Sequence, residues 1–142
     1  MYAVIRIRGT VNIAPKIATA LEHLNLRRVN NLSIWQETPQ TLQMIKIVMD
    51  YVAFGTISEE TLKKLIEAKG ESVDHKTKID AKKVVAEIKS GKTLNQVGID
   101  NCFRMSPPRK GYERKGIKTP YVLGGASGNR KEAISELIER ML

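Results

Sequence analysis

The stretch LSIWQETPQTLQMIKIVMDYVAFGTI, residues 32–57, decides the fold. It opens with Leu32 and Ile34 set against Ser33 and Trp35, an alternation with the period of a half-buried strand. Thr38-Pro39 follows. A hydroxyl able to cap free N–H groups precedes a proline at the first helical position, where its missing N–H costs nothing. Leu42, Ile45, Val48, Met49 and Val52 then recur at helical spacing and predict a long apolar face. Ala53-Phe-Gly-Thr-Ile57 reads as a further strand. The result is strand, helix, strand in 26 residues.

The upstream residues repeat the pattern. In MYAVIRIRG, Ala3, Ile5 and Ile7 point one way, and Arg6 and Arg8 point the other, toward solvent. Gly9 ends that strand. Pro15 suits a first helical turn, and Ile17, Leu21 and Leu24 make one stripe behind it. Residues 1–57 are therefore expected to be a β-α-β-α-β unit with parallel neighbours joined through helices. That is an α/β (α+β) fold with a ferredoxin-like, split βαβ core. Ile5, Ile7, Leu21, Ile34, Leu42 and Ile45 are expected inside, and Arg6 and Arg8 are expected on an open sheet face.

Residues 58–142 predict a mostly helical and loop extension. Ser58 caps a helix that starts with Glu59 and Glu60, buries Leu62, Leu65 and Ile66, and stops at Gly70. The polar run 71–79 reads as a surface loop. Asp80 leads a second helix through Val84, Val85 and Ile88 to Gly91. Leu94, Val97 and Ile99 suggest a short packed turn. In 104–128, Pro107, Pro108 and Pro120 with Gly111, Gly116, Gly124, Gly125 and Gly128 argue against regular structure and for an extended loop. From Asn129 as cap, a docking helix is expected to Leu142, with Ile134, Leu137, Ile138 and Met141 on one face.

Composition bounds the function. The 24 Lys and Arg exceed the 15 Asp and Glu by nine, a field that attracts polyanions. No apolar run is long enough to span a bilayer. The N-terminus lacks the basic start and apolar block of a signal peptide, so an intracellular, cytoplasmic setting without membrane partners is expected. Cys102 is the one cysteine and has no internal disulfide partner. No Cys/His spacing resembles a zinc site, and neither metal nor cofactor is expected. Catalytic candidates are thin. Pairing Cys102 with His23 or His75 has nothing to bring the groups together, and a small buried cysteine is the commoner case. Trp35 offers base stacking or packing under a helix. No catalytic residue is assigned.

The charge is concentrated. Residues 104–131 hold eight basic residues against Glu113 alone, a net of +7 out of +9. Within that stretch Arg104, Arg109, Lys110, Arg114, Lys115 and Lys118 are candidates for phosphate contacts. Tyr112 is a candidate for stacking, as Arg6 and Arg8 are for contacts from the sheet. Gly124, Gly125, Gly128, Asn129 and Arg130 stand where a helix is expected to start, and consecutive N–H groups there are suited to an anion. No Gly-Lys-Ser/Thr follows, so this is not a P-loop. Two blander readings stay open: a solvated surface loop, and a plain turn with a helix cap.

MYAVIRIRGTVN, TPQTLQMIKIVMDYVAFGTI, SPPRKGYERKG and GGASGNRKEAISELIERML together resemble the large-subunit ribosomal protein thirty family in its archaeal form, whose eukaryotic counterpart is large-subunit protein seven. The resemblance runs nearly the whole chain in order and is weakest over 71–103. It implies a structural constituent of the large ribosomal subunit. The partners implied are large-subunit rRNA, the 5S rRNA and neighbouring ribosomal proteins, with no homo-oligomer. It also implies a core at 1–57 and an extension at 58–142 that carries the basic loop, 104–128, and the docking helix, 129–142. The competing classes are an RNA-binding regulator outside the ribosome and an RNA-modifying enzyme that uses the glycine-rich turn as its phosphate site. An enzyme should place titratable groups beside that turn, and the neighbours there are mostly Lys and Arg.

Overall fold

A computed structural model describes residues 1–71, 84, 85, 87, 88 and 94–142. The expected loop at 71–79 and the expected helix from Asp80 to Gly91 fall largely outside the described residues. Of that helix, Val84, Val85 and Ile88 are described, and all three are buried. The elements in order are β1 (Tyr2–Arg6), α1 (Pro15–His23), β2 (Asn31–Trp35), α2 (Pro39–Val48), β3 (Val52–Thr56), α3 (Glu59–Lys69), β4 (Cys102–Arg104), β5 (Gly128–Asn129) and α4 (Ile134–Met141). The β-α-β-α-β core stands where the alternation and the capping residues put it. Thr38 Oγ1 accepts from the Thr41 N–H at 3.2 Å, and Ser58 Oγ accepts from the Thr61 N–H at 3.3 Å, so both sequence caps form.

The strands lie in the order β4-β2-β1-β3-β5. Here the strand directions differ from expectation. β1 runs antiparallel to both of its neighbours, β2 and β3, which are thus parallel to each other with β1 between them. Alternation specifies which face a residue takes, not which way its strand runs. The segments flanking α1 are long enough for either direction. The split βαβ arrangement remains, and β5 joins β3 in parallel.

Both sheet faces are covered. Val4, Val52 and Phe54 pack with Ala20, Leu21, Leu24, Ile45 and Val48 of the α1/α2 layer. Ala3, Ile5, Ile7, Leu32, Ile34 and Ala53 pack with Leu62, Leu65, Ile66, Ile134, Leu137, Ile138 and Met141 of the α3/α4 layer. The open face expected for Arg6 and Arg8 therefore does not exist. The strand register is as read, but the second face belongs to a helical layer. Leu42 is half-buried and Met49, past the end of α2, is exposed, so the apolar face of α2 is shorter than its sequence stripe.

The C-terminal third also begins differently. Residues 102–104, where no strand was expected, add β4 to the edge of β2. Gly128–Asn129 is strand, a 3-10 turn covers Lys131–Ala133, and the final helix starts only at Ile134. The Asn129 side chain accepts from the Lys131 N–H at 2.8 Å, a local cap on that short turn. Gly55 permits this docking, because a Cβ there would lie 2.1 Å from the Lys131 carbonyl oxygen. The Arg130 N–H donates to the Phe54 carbonyl beside it at 2.8 Å.

Candidate nucleic-acid interface

Between β4 and β5 the chain forms the basic loop, and its path is set by hydrogen bonds to the fold. The Met105 N–H donates to the Asn30 carbonyl, and the N–H groups of Ser106 and Arg109 donate to the carbonyls of Met141 and Arg140. The last carbonyls of α4, which have no partner within a helix, are satisfied by the loop. Lys110 and Gly111, at φ 66° and 74°, turn the chain back. Tyr112 then packs against the α3/α4 core, and its hydroxyl donates to Asn30 Oδ1 at 2.7 Å. That burial pushes the phenol up.

The distal half closes on itself. The Tyr121 N–H donates to the Ser127 carbonyl at 2.7 Å, and the Gly125 N–H to the Pro120 carbonyl at 3.0 Å. The Ala126 N–H reaches the Gly116 and Thr119 carbonyls, and the Ser127 N–H the Thr119 carbonyl. Gly125 admits no side chain, since a Cβ would sit 2.0 Å from the Thr119 carbonyl oxygen. An extended loop was expected, yet much of this backbone is internally paired.

Glu113, the one acid in 104–131, faces inward. Its Oε1 accepts from Arg130 Nη1 at 3.0 Å and from Arg140 Nη2 at 3.1 Å. The Arg130 bond, with help from Arg140, holds its carboxyl below the usual range. Arg130 is 3% exposed, donates from Nε to the Ala126 carbonyl, and lies 4.5 Å over the Tyr121 ring. This cluster locks the loop to α4.

The candidate residues consequently separate. Arg104, Arg109, Lys110, Arg114, Lys115 and Lys118 are all exposed, and none pairs with an acid among the described residues. Arg6, Tyr112 and Arg130 are turned into the fold. Arg6 is 2% exposed, and its guanidinium donates to the carbonyls of Arg8, Leu26 and Arg27 at 2.9, 2.7 and 2.8 Å. Burial pulls its pKa down. Arg8 is half-buried over the Tyr51 ring. The glycine-rich turn does not open a helix, and the N–H groups of Gly124, Gly125, Ala126 and Ser127 already have carbonyl partners. Of the anion cradle read from Gly124, Gly125, Gly128, Asn129 and Arg130, the N–H groups of Gly124 and Gly125 are spent on the loop's own backbone and that of Arg130 on the Phe54 carbonyl, while Gly128 and Asn129 form β5 beside β3.

One feature was not anticipated. A half-open groove of about 520 Å³ is lined by Asn25, Arg27, Arg28, Asn31, Asp100, Cys102 and Arg104. The adjacent pair Arg27-Arg28, set among asparagines in NLRRVNN, was its only sequence signal, and it sits in a stretch of modest net charge. Cys102 lies in the groove wall and not in the core. Burial, with Asp100 nearby, pushes its thiol up, so the reactive thiolate is disfavoured. His23 ends α1 on an exposed position, and His75 lies outside the described residues. Trp35 packs against the α1/α2 layer and donates to Ser33 Oγ.

Residues 2–52 match the family model described as ribosomal protein L30p/L7e. Over the full chain the sequence is 38% identical to large ribosomal subunit protein uL30 of Methanosphaera stadtmanae, with 100% of both chains covered. It is 39% identical to uL30 of Methanocella arvoryzae over 99% of each chain. With uL30 of Nanoarchaeum equitans it is 36% identical over 100% of this chain and 99% of the relative. The chain belongs to the L30p/L7e family. The L30p/L7e match takes in β1 through the first residue of β3, so the family segment carries Arg6 and the Arg27-Arg28 turn. The basic loop and α4 fall outside it and are covered by the full-length archaeal relatives.

Proposed function

We propose that this chain is a structural constituent of the large ribosomal subunit that holds rRNA by phosphate and shape contacts. One observation carries the reading: five exposed cations, Arg109, Lys110, Arg114, Lys115 and Lys118, project from a loop whose own acid is turned inward. A paired backbone fixes the loop's path, so binding need not first order that backbone, and ordering is a main cost of binding by flexible segments. Arg and Lys neutralise phosphates and release counterions. The stacking role first given to Tyr112 is withdrawn, because its hydroxyl and ring are committed to the fold.

The full-length relatives, named as large-subunit proteins, support placing this chain in the same particle in the cytoplasm. Its family is one of ribosomal proteins, and it is not an enzyme. The 5S rRNA, the surrounding large-subunit rRNA and neighbouring ribosomal proteins are the partners we propose, with no self-association. Two measurements test this. Sedimentation of a lysate through sucrose should place the chain with large subunits, and a pool confined to light fractions would favour a regulator outside the ribosome. Replacing Arg109, Lys110, Arg114 and Lys115 together by Ser should weaken binding to large-subunit rRNA while leaving the melting temperature nearly unchanged, since exposed charges contribute little to stability. Undiminished rRNA binding by that variant would remove the loop from the interface.

A further inference from the structure

We infer that the arginine groove beside β4 is a second RNA-backbone site, separate from the basic loop and preorganised by Arg6. The inference rests on the rRNA-binding reading but names a surface that the reading does not need. Arg27, Arg28 and Arg104 line the groove against one carboxylate, Asp100. One oxygen of that carboxylate accepts the Cys102 N–H at 3.1 Å, at the start of β4. Among the lining residues the balance is three cations to one anion, with Glu71 also near enough to act on Cys102, and all three arginines are exposed.

The groove is held in shape from behind. Leu26 is fully buried, and Arg6 grips the carbonyls of Leu26 and Arg27. Asn25 and Asn30, at φ 59° and 65°, bend the chain on either side of the arginine pair, in a backbone region that asparagine tolerates better than most residues. On the opposite wall Asn31 Nδ2 donates to Cys102 Sγ at 3.2 Å. Arg6 also adds charge. A guanidinium stays protonated in proteins, and this one has no acidic partner among the described residues. Its Nη2 is buried and has no hydrogen-bond partner. The site thus combines three exposed cations with a fourth one buried behind them, a potential suited to a polyanion.

The lining also identifies the class of polyanion. Apart from Cys102 every lining residue is polar or charged, which suits a sugar–phosphate backbone with amide donors to its oxygens. An acidic protein segment would bring apolar anchors, and the groove offers no apolar pocket for them. Position agrees with this. Asn30, next to groove residue Asn31, accepts both the Met105 N–H and the Tyr112 hydroxyl that pin the base of the basic loop. Groove and loop therefore adjoin, and one RNA strand leaving the loop can enter the groove.

Cys102, as the one cysteine, reports on the groove directly. The full chain would be labelled with a maleimide at neutral pH, alone, with deproteinised archaeal large-subunit rRNA, and with polyglutamate. Saturating rRNA should slow labelling several-fold, and should still do so in the variant with Arg109, Lys110, Arg114 and Lys115 replaced by Ser. Replacing Arg27, Arg28 and Arg104 together by Ala should abolish the protection and make the log–log salt slope of rRNA binding shallower by about two to three units, at about 0.7–0.9 per lost phosphate contact. If the parent binds rRNA but Cys102 labels at an unchanged rate and the triple variant keeps the parent's slope, the groove is not a site while the loop reading stands. Equal protection by polyglutamate would overturn RNA as the occupant. Failure of the parent to bind rRNA at all would overturn both readings.

Discussion

Arg6→Met separates a surface cation from a structural one. Met keeps much of the side-chain volume and removes every donor, so three carbonyls lose their partner. The Leu26 carbonyl is the deepest of them; its bond is buried, while those to Arg8 and Arg27 are partly so. Leaving a buried acceptor unpaired costs about 1–3 kcal/mol, and each of the other two bonds contributes about 0.5–1.5 kcal/mol. Opposing this, Met relieves the desolvation that lowers the Arg6 pKa. The expected net destabilisation is about 2–3 kcal/mol. In urea unfolding, where the slope for small proteins is about 1–3 kcal/mol per molar, the midpoint should fall by about 1 M or more. Arg8→Met, which removes a ring contact at a half-buried edge, should cost less than about 1 kcal/mol. If Arg6→Met unfolds within about 0.5 kcal/mol of the parent, the range typical of neutral surface changes, the guanidinium is not holding the 26–28 turn and Arg6 behaves as the exposed residue its alternation suggests.

Glu113→Ala should cost about 3 kcal/mol at neutral pH, because it strands Arg130 as a buried cation. The carboxyl is held below its ordinary value of 4.5 in the folded chain, so its contribution is complete above that value and is lost as pH falls through the depressed one. Melts from pH 7 to pH 2 should show parent and variant converging in acid, and a gap independent of pH would contradict the ion cluster. Gly55→Ala should destabilise by about 1–3 kcal/mol, since backbone oxygen occupies the space that its Cβ needs; a neutral result by denaturant melt would mean that Lys131 does not lie against β3. Ile5→Ala should cost about 2–5 kcal/mol, and a smaller loss in the same assay would move Ile5 out of the core.

Period and caps made the first half legible. Alternation at Ala3, Ile5 and Ile7 and at Leu32 and Ile34, the run Ala53–Ile57, and Pro15, Thr38-Pro39 and Ser58 as helix starts place three strands and three helices. Exposure was less legible. Arg6 lies on the face its parity requires, but what covers that face comes from α1, α2 and the turn at Leu26, which no local pattern announces. Strand direction was hidden for the same reason. Glycines in 124–128 suit either a phosphate cradle or a plain turn, and Gly125 is there because Thr119 leaves no room for a Cβ, a contact made by the loop's own fold. Within the candidate site, the cations from Arg104 to Lys118 followed from charge density. The Arg27-Arg28 groove did not, because its second wall is supplied by residues 100–104, far away in sequence.

Ultraviolet crosslinking of intact archaeal large subunits carrying this chain, followed by mass spectrometry of its RNA-adducted peptides, tests the central claim most directly. Adducts should fall within 104–118, and on the walls of the groove at 25–31 and 100–104. Subunits that contain the chain but yield adducts only on other surfaces, or none, would contradict the account.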